Sequence, residues 1–388
     1  MSEGLVAAAQ QRLPQMLADL ERVITLETPS HDHAAVARGA AEITELLNER
    51  LGMRPEVIER DGVTHLRLRF GRVGDEAPRG AVRVLVLAHQ DTVWPHGTLD
   101  RLPFSTDDGI LRGPGSFDML TGLVMAIHAV ALLREEGSSV AGLSLLVTGD
   151  EEVGSATSRD LIIDEVAGKP AVLVCEASAE GGAVKVGRKG ASHFRVTVYG
   201  KAAHAGLEPE AGVNATMELA HQVQVIAALA DEAAGTSVVP TTMAAGSSSN
   251  TVPASAYVDV DSRARTEAEQ RRIDRALRSL TPHLSGARIE IDGGIDRPPL
   301  QGESSAELYA VLGQVCRDLE VPTPPGVEVG GASDGNITAG HGAPTLDGLG
   351  AVGAGAHADH EHAIIDEIPV RTAILAAMIR RLLAHPLS

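Results

Sequence analysis

Hydrophobic positions follow two different spacings in the first half of the chain. Apolar residues recur three and four apart over 4–27 and 34–52, which predicts two amphipathic helices. Short uninterrupted apolar runs follow, and these are typical of strands buried on both faces. The predicted strands are 65–70, 82–88, 144–149 and 171–176, with a helix at 120–136 that Gly137 ends. Strands alternating with helices predict an α/β domain with a mostly parallel sheet.

The pattern changes after residue 186. The stretch SHFRVTVYG, residues 192–200, alternates as a half-buried strand does. Further predicted helices are 213–231 and 266–280, and further predicted strands are 237–244, 256–261 and 287–292. This βαββαβ order predicts a ferredoxin-like α+β domain, 187–297, inserted into a larger α/β domain built from 1–186 and 298–388.

Composition narrows the functional classes. The chain has 388 residues, more than one core usually organises, so two domains are expected. Aromatic residues make up only 2%, so the cores must consist of Ala, Val, Leu and Ile. The net charge of −19 argues against partners that are nucleic acids or anionic membranes.

Cysteine usage and the N-terminal segment bear on location. Cys175 and Cys316 are the only cysteines, too few for a disulfide framework, so a reducing cytoplasm is expected. The first residues predict an amphipathic helix rather than a signal peptide. The sequence also has no apolar run of about 18 residues that would predict a membrane span.

The stretch VLVLAHQDTVWPHG, 84–97, places polar residues at the end of a buried strand. His89 and Asp91 there are either an ordinary polar strand end or a metal ligand with a supporting carboxylate. Carboxylates or histidines also follow the other predicted strands or lie in tight glycine-containing loops: Asp118, Asp150, Glu151, Glu152, Glu176 and His357. Because ligands collect at the carboxyl ends of parallel strands, this set predicts a site for two divalent ions. One carboxylate bridging the two ions would hold them about 3.5–4 Å apart.

Each of these residues also has a plain structural interpretation. Asp118 could cap the following helix. The acids 150–152 could form a solvated loop, and Glu176 could lie at a sheet edge. The histidines of HADHEH, 357–362, could belong to a surface loop. His31 and His33 are expected to be cap and surface residues.

Six motifs occur in a fixed order along the chain: HQDTV, GPGSFDMLTG, TGDEEVGS, CEAS, KAAHAG and GAHADHE. In these motifs nearly the whole chain resembles the dizinc exopeptidase and deacylase family. Members include glutamate carboxypeptidase, acetylornithine deacetylase and succinyl-diaminopimelate desuccinylase. KAAHAGLEPEAGVNA and SNTVPASA are most similar to the glutamate carboxypeptidase branch. The resemblance implies a zinc-exopeptidase catalytic domain with an inserted dimerisation domain, and hence a homodimer.

The resemblance also implies a role for individual residues. His89 and Glu176 would hold one zinc, Glu152 and His357 the other, and Asp118 would bridge both. The peptide bond between Asp118 and Met119 would be cis. Asp91 would hydrogen-bond His89 and set its tautomer, and Glu151 would be the general base. In the inserted domain, His204 would reach the partner subunit's site to bind the substrate carbonyl oxygen.

Further residues match positions that contact the substrate carboxylate in the family. Asn250, Arg263, and the glycine-rich loop with Gly331 and Ser333 are such positions. Arg297 and Arg188 are weaker candidates that could equally be surface arginines.

Two departures from the family pattern are local. The bridging aspartate is commonly followed in relatives by Asp or Met and then Lys-Gly-Gly, whereas here Met119-Leu120-Thr121-Gly122 follows it, so packing or substrate preference could differ. Cys175, directly before Glu176, is expected to be a packing residue.

These observations predict a zinc-dependent amidohydrolase for a peptide or other small amide with a free carboxylate. Cobalt or manganese would suit the same ligands. A carboxypeptidase that releases a C-terminal amino acid such as glutamate is the leading interpretation, and an N-acyl-amino-acid deacylase is the alternative. A metal-binding module without hydrolytic activity is a remote third possibility, because it would have no use for Glu151.

Overall fold

The structure is a computed structural model that describes residues 3–71 and 82–387. The chain divides into two compact units. Unit 1 consists of Met1–Gly187, Gly302–Val329 and Ser333–Ser388, and unit 2 of Arg188–Gln301 and Gly330–Ala332. The chain therefore returns to unit 1 at Gly302, whereas the predicted inserted domain ends at 297.

The elements are numbered in chain order. The helices are α1 Glu3–Ile24, α2 His33–Leu51, α3 Leu120–Glu135, α4 Arg159–Val166, α5 Ala215–Ala227, α6 Glu267–Arg278, α7 Gly302–Asp318, α8 Asp334–Gly340 and α9 Glu367–Ala384. The strands are β1 Glu56–Arg60, β2 Val63–Arg69, β3 Val84–His89, β4 Ser105–Asp107, β5 Ile110–Arg112, β6 Leu143–Thr148, β7 Ala171–Val174, β8 Val184–Arg188, β9 Gly190–Tyr199, β10 Ser237–Ala245, β11 Ser255–Ala264, β12 Arg288–Arg297, β13 Gly326–Val329, β14 Thr345–Leu346, β15 Gly353–Ala354 and β16 His362–Ile364.

The main sheet of unit 1 has the order β1-β2-β6-β3-β7-β14. Strands β6, β3, β7 and β14 pair in parallel, whereas β1 and β2 join them antiparallel. The predicted α/β class is confirmed, and the sheet has two additional strands that the sequence pattern did not predict, β1 and the two-residue β14. The residues of β1 alternate without a buried apolar face, because β1 lies at the edge of the sheet and is largely exposed.

Strand β3 shows why the central strands are continuously apolar. Val84, Val86 and Ala88 belong to the core shared with α1, α3 and α9, whereas Leu85 and Leu87 pack into a second core on the opposite face. Because both faces are covered, every position of the strand is buried. The first residue with a metal-binding side chain is His89, at the carboxyl end.

Helix α3 packs closely on the end of β7. A Cβ atom added at Gly122 would lie 1.9 Å from the carbonyl oxygen of Cys175, so only glycine fits this position. Cys175 is fully buried, and this burial raises the pKa of its thiol. Both observations support the packing role expected for Cys175. Within the described residues, no helix combines the length and apolar character needed to cross a membrane.

Unit 2 contains an antiparallel sheet of order β10-β11-β9-β12 with helices α5 and α6. In chain order within the unit these strands are 2-3-1-4, as the predicted βαββαβ connection requires. Phe194, Val196 and Val198 of β9 pack in the core that includes Leu219 of α5 and Ile273 of α6. The ferredoxin-like prediction is therefore confirmed.

Candidate metal centre

Three neighbouring strands of unit 1 end at one edge of the main sheet. His89 is the last residue of β3, Glu152 follows β6, and Glu176 follows β7. Because β3 pairs in parallel with both neighbours, these carboxyl ends lie side by side. His89 and Glu176 are buried, and the distance from His89 Nε2 to Glu176 Oε1 is 3.6 Å.

Asp118 lies between the residues from the strand ends and His357. Its Oδ1 is 3.5 Å from His89 Nε2, and its Oδ2 is 3.4 Å from His357 Nε2. The Asp118–Met119 peptide bond is cis, as the resemblance implies. Asp118 does not cap α3, because the cap position is Met119 and no side-chain hydrogen bond closes this helix end. The interpretation of Asp118 as a helix cap is therefore wrong.

The ligand atoms form two groups that share Asp118. One group is His89, Asp118 and Glu176, and the other is Asp118, Glu152 and His357, each with its atoms within 4.8 Å of one another. His357 Nε2 lies 3.2 Å from Glu152 Oε2. Imidazole nitrogen and carboxylate oxygen are the donors that zinc and similar divalent ions accept.

Three polar atoms in this cluster support binding of a cation. His89 Nε2, Asp118 Oδ1 and Glu152 Oε1 are buried and have no hydrogen-bond partner among the described residues. Leaving such atoms unpaired in a protein interior costs about 1–3 kcal/mol each. A divalent ion bound between them would remove that cost, so the donor set fits a metal.

The concentrated negative charge also shifts the histidine pKa values. The carboxylates of Asp118 and Glu152 raise the pKa of His357 to about 10. Burial opposes protonation of His89, yet Asp118, Asp91 and Glu176 raise its pKa well above the ordinary value. Without a metal the cluster therefore stabilises positive charge on its histidines, and a divalent cation would compete with those protons.

The three acids of the loop after β6, residues 150–152, lie in different surroundings. Asp150 is buried, and its Oδ2 accepts hydrogen bonds from Thr157 N and Thr157 Oγ1 at 2.7 and 2.8 Å. Glu152 contributes to a ligand group, whereas neither group includes Glu151. The interpretation of 150–152 as a solvated loop is thus wrong for Asp150, which holds the turn together from inside.

Asp91 has a different set of contacts from the predicted one. His89 Nδ1 lies 2.9 Å from the main-chain oxygen of Asp91 and 3.5 Å from its Oδ1, so the shorter contact is to the backbone. The buried carboxylate of Asp91 instead accepts the main-chain N–H groups of Glu151 and Glu152 at 3.1 and 3.2 Å. It also accepts Ser30 Oγ at 2.7 Å. Asp91 therefore positions the turn that carries Glu151 and Glu152, in addition to lying beside His89.

Glu361 organises the loop that carries Asp118, and the sequence interpretation missed it. Its fully buried carboxylate accepts Phe117 N and Asp118 N at 2.9 and 3.0 Å through Oε1. Through Oε2 it accepts Gly115 N at 3.0 Å and Trp94 Nε1 at 2.6 Å. Burial raises the pKa of Glu361 despite these four donors. The only sequence signal was an acid within HADHEH, which gave no indication of its partners.

Replacing Glu361 by Gln is expected to weaken metal binding about 10–100-fold, the range found when a group supporting a metal ligand is removed. The amide offers one oxygen to four N–H donors, so the loop with Asp118 loses part of its support. Metal affinity is measured by competition with a chromogenic chelator, and Glu307→Gln on the exposed side of α7 is the control. Equal affinities in both variants would show that Glu361 does not position Asp118.

Residues 85–381, well over half of the chain, match the peptidase family M20/M25/M40. The chain belongs to this family. It is therefore a metal-dependent hydrolase, and the recognition made from the six motifs is confirmed.

Individual relatives agree with the family assignment. Carboxypeptidase G2 of Pseudomonas sp. (strain RS-16) is 32% identical over 97% of this chain and 91% of its own length. Succinyl-diaminopimelate desuccinylase of Rhodospirillum centenum is 27% identical over 80% of this chain and 83% of its own. An M20 family metallo-carboxypeptidase from Sulfolobus solfataricus has the same fold, with a TM-score of 0.70 at 14% identity, over 95% of this chain and 98% of that one.

Two predicted site residues of unit 2 lie close together. Ala205 N donates to the main-chain oxygen of Asn250 at 2.9 Å, and His204 and Thr251 form an isolated antiparallel β-bridge. His204 is exposed, and its Nδ1 accepts Gly206 N and Leu207 N, each at 3.1 Å. A neutral His204 must therefore carry its proton on Nε2, where it can donate to an acceptor.

The arginine candidates of unit 2 are buried or hydrogen-bonded to other groups of the protein. Arg263 makes a two-pronged contact with Asp261, from Nε at 2.9 Å and from Nη2 at 2.7 Å. Arg188 and Arg297 are only 5% and 4% exposed, so their interpretation as surface arginines is wrong. Arg188 Nη1 donates to the main-chain oxygen of Gly331 at 3.1 Å and so supports the glycine-rich loop.

Ser333 has a structural role at the start of α8. Its hydroxyl donates to Asp347 Oδ2 at 2.6 Å, and its main-chain N–H donates to Asn336 Oδ1 at 2.9 Å. The same hydroxyl accepts Gly335 N, which completes a capping box. With both donors engaged inside unit 1, Ser333 is placed as a helix cap rather than as a donor to a substrate carboxylate.

Of the remaining histidines singled out in the sequence, only His357 belongs to a ligand group. His357 has a positive φ of 61° in its loop and belongs to a ligand group, whereas His360 and His362 belong to neither group. His31 and His33 are exposed, and the cap of α2 is Asp32, which accepts Ala35 N at 3.0 Å. The expectation of cap and surface residues in this segment therefore agrees with their positions.

Proposed function

We propose that the protein is a two-zinc amidohydrolase that cleaves the amide next to an amino acid with a free carboxylate. The observation that carries this proposal is the sharing of Asp118 between two groups of ligand atoms. His89 and Glu176 would complete one site, and Glu152 and His357 the other. Cobalt or manganese also suit this donor set, so the metal content of the purified protein has to be measured.

The chain's own residues divide the work of hydrolysis. When bound, two divalent ions lower the pKa of a water molecule to about 7 and polarise the substrate carbonyl. Glu151 takes a proton from the attacking water and delivers it to the leaving nitrogen. Its main-chain N–H is held 3.1 Å from Asp91 Oδ1, which fixes the turn from which its side chain acts. Its place outside both ligand groups suits a proton acceptor.

Within this class, a carboxypeptidase that releases a C-terminal amino acid such as glutamate is favoured. The support is the 32% identity to a carboxypeptidase over nearly the whole chain, compared with 27% to a desuccinylase over a shorter part. Asn250, Arg263, Arg297 and Gly331 of unit 2 are the proposed contacts to the free carboxylate. A deacylase for N-acyl amino acids stays the alternative, because it cleaves the same type of bond.

The deciding experiment is the release of amino acids, followed by mass spectrometry. The zinc-loaded protein is incubated with a folyl-glutamate, dipeptides and simple N-acyl amino acids, and a chelator-treated sample is the control. Release of glutamate from the folate or a peptide, lost on chelation and restored by zinc, is the expected result. Release from simple N-acyl amino acids alone would indicate a deacylase instead.

We also propose that the protein works as a homodimer in which His204 binds the substrate carbonyl oxygen in the partner's site. His204→Ala and Glu151→Gln are each expected to be nearly inactive alone. After subunit exchange, mixed dimers contain one complete site, so an equimolar mixture should regain about a quarter of wild-type activity. Native mass spectrometry verifies the exchange. Mixed dimers without recovered activity would contradict action across subunits.

We also propose that the protein is cytoplasmic, as its cysteine usage predicts. Both cysteines are buried and unpaired, which agrees with the absence of a disulfide framework. The net charge of −19 remains the argument against nucleic-acid partners.

A further inference from the structure

A cleft of about 400 Å³ adjoins the candidate metal centre in unit 1. Its lining consists of the loop 29–32 and of Thr92, Val93, Pro95, His96, Glu152 and Val153. Glu152 therefore belongs both to a ligand group and to the wall of this cleft. The volume lies in the range of about 300–1,000 Å³ that is typical of small-molecule sites.

The walls of the cleft are fixed by main-chain hydrogen bonds. Ser30 N donates to Thr92 O at 3.1 Å, and Thr92 N donates to Thr28 O at 2.9 Å. These two bonds tie the loop before α2 to the loop after β3. A cleft held in this way binds a ligand with little ordering of its own walls.

Apolar side chains dominate the opening. Val93 and Val153 are 41% and 43% exposed, unusual for large aliphatic residues beside a buried polar site. Pro29 and Pro95 complete the apolar part of the wall. Val153 directly follows a ligand candidate and Val93 lies two residues after Asp91, so a group bound here lies next to the reacting centre.

The charged groups of the cleft disfavour an anion. No Lys or Arg is among the described residues that line it. His96 Nε2 lies 2.8 Å from Asp32 Oδ2, so the imidazole is already paired with an acid. Glu152 belongs to the metal-ligand cluster, and Asp32 is paired with His96, so His31 is the remaining titratable side chain of the lining. A carboxylate bound among Val93, Pro95 and Val153 therefore meets no guanidinium or ammonium group from the described lining.

We propose that this cleft is the subsite for the acyl side of the scissile amide and that it takes an uncharged, apolar acyl group, aromatic or aliphatic. This inference rests on the proposed hydrolysis of an amide next to a free carboxylate. The leaving amino acid carries that carboxylate and needs a cation or N–H donors, so the cleft suits the other half of the substrate. A succinyl group, whose carboxylate would enter the cleft, is selected against.

The test compares acyl groups that differ mainly in charge. The ligands are N-butanoyl-, N-succinamoyl-, N-succinyl- and N-benzoyl-L-glutamate, assayed at about pH 8, where unperturbed imidazole is uncharged. The kcat/KM for the succinyl compound is expected to be at least about tenfold below that for its uncharged amide isostere, because the carboxylate is desolvated without a partner. Equal or higher kcat/KM for the succinyl compound would overturn the inference.

Val93→Arg provides the matched variant. It places a guanidinium at the cleft, so the succinyl/benzoyl ratio of kcat/KM should rise by about tenfold or more. Val57→Arg, on the exposed edge strand β1 where the side chain is 59% exposed, should leave the ratio unchanged. An unchanged ratio in Val93→Arg would also overturn the inference.

A binding measurement separates failure of the subsite from failure of the proposed function. Dissociation constants of the same ligands are measured by calorimetry with zinc-loaded Glu151→Gln protein and with Glu151→Gln/Val93→Arg. Absence of hydrolysis with any ligand, together with preserved charge discrimination in binding, would reject the proposed function and support the cleft. Hydrolysis of all four ligands without discrimination would reject the cleft and leave the function standing. Neither hydrolysis nor binding would reject both.

Discussion

Glu151→Gln is expected to reduce kcat by about 10²–10⁴-fold or more while both metals stay bound. The amide is nearly isosteric with the carboxylate but cannot accept the proton of the attacking water. Glu151 lies outside both ligand groups, so its replacement removes no ligand atom from either. The measurements are kcat with the best substrate of the panel and metal content by inductively coupled plasma mass spectrometry.

Glu152→Gln is the matched control, because it changes the neighbouring acid in the same way. Glu152 Oε2 lies 3.2 Å from His357 Nε2 within a ligand group, so this variant should lose metal as well as activity. Metal loss from the Glu151 variant and retention in the Glu152 variant would mean that the two roles are reversed. Nearly normal turnover of the Glu151 variant would remove Glu151 from the mechanism.

Asp118→Ala is expected to lose both metals, whereas Glu176→Ala should lose only one. The two ligand groups share Asp118, with Oδ1 directed to the His89 side and Oδ2 to the His357 side. Glu176 belongs to one group only. Removing a ligand itself should weaken binding by more than the roughly 100-fold limit seen for supporting groups. The readout is the number of metal ions per subunit during titration of the metal-free protein.

Asp118→Asn separates the loss of a ligand oxygen from the loss of the side chain's shape. It keeps the shape of the side chain and one carbonyl oxygen, so binding should fall less than in Asp118→Ala. Thermal unfolding of the metal-free variants shows whether the loop remains folded in each. Two metals bound with unchanged affinity by Asp118→Ala would show that Asp118 does not bridge the sites.

The sequence by itself determined the architecture and the set of candidate ligands. Strands buried on both faces must be continuously apolar, so the residues where they stop are visible in the pattern, as at His89. The alternation in 192–200 and the order of the following elements were sufficient for the ferredoxin-like unit. These features depend on local periodicity and chain order, which the sequence contains directly.

Only the tertiary structure decided how the ligands are supported. The carboxylate of Asp91 binds the Glu151–Glu152 turn, and Glu361 binds the loop of Asp118 from more than 240 residues away in the sequence. Such partners are brought together by packing, which no local pattern reports. The same holds for the buried Arg188 and Arg297, for which the sequence left a surface position and a substrate contact equally open, because arginine is usually exposed.

The acyl cleft illustrates the same division. Val93 and Val153 are ordinary apolar residues of two separate motifs, and neither indicates a binding site in the sequence. They line one cleft because the loops after β3 and β6 leave the same edge of the sheet. Which residues can bind metal is a property of side-chain chemistry at strand ends. Which groups position them and which surface receives the acyl group depend on contacts between distant segments, and only the folded chain determines those contacts.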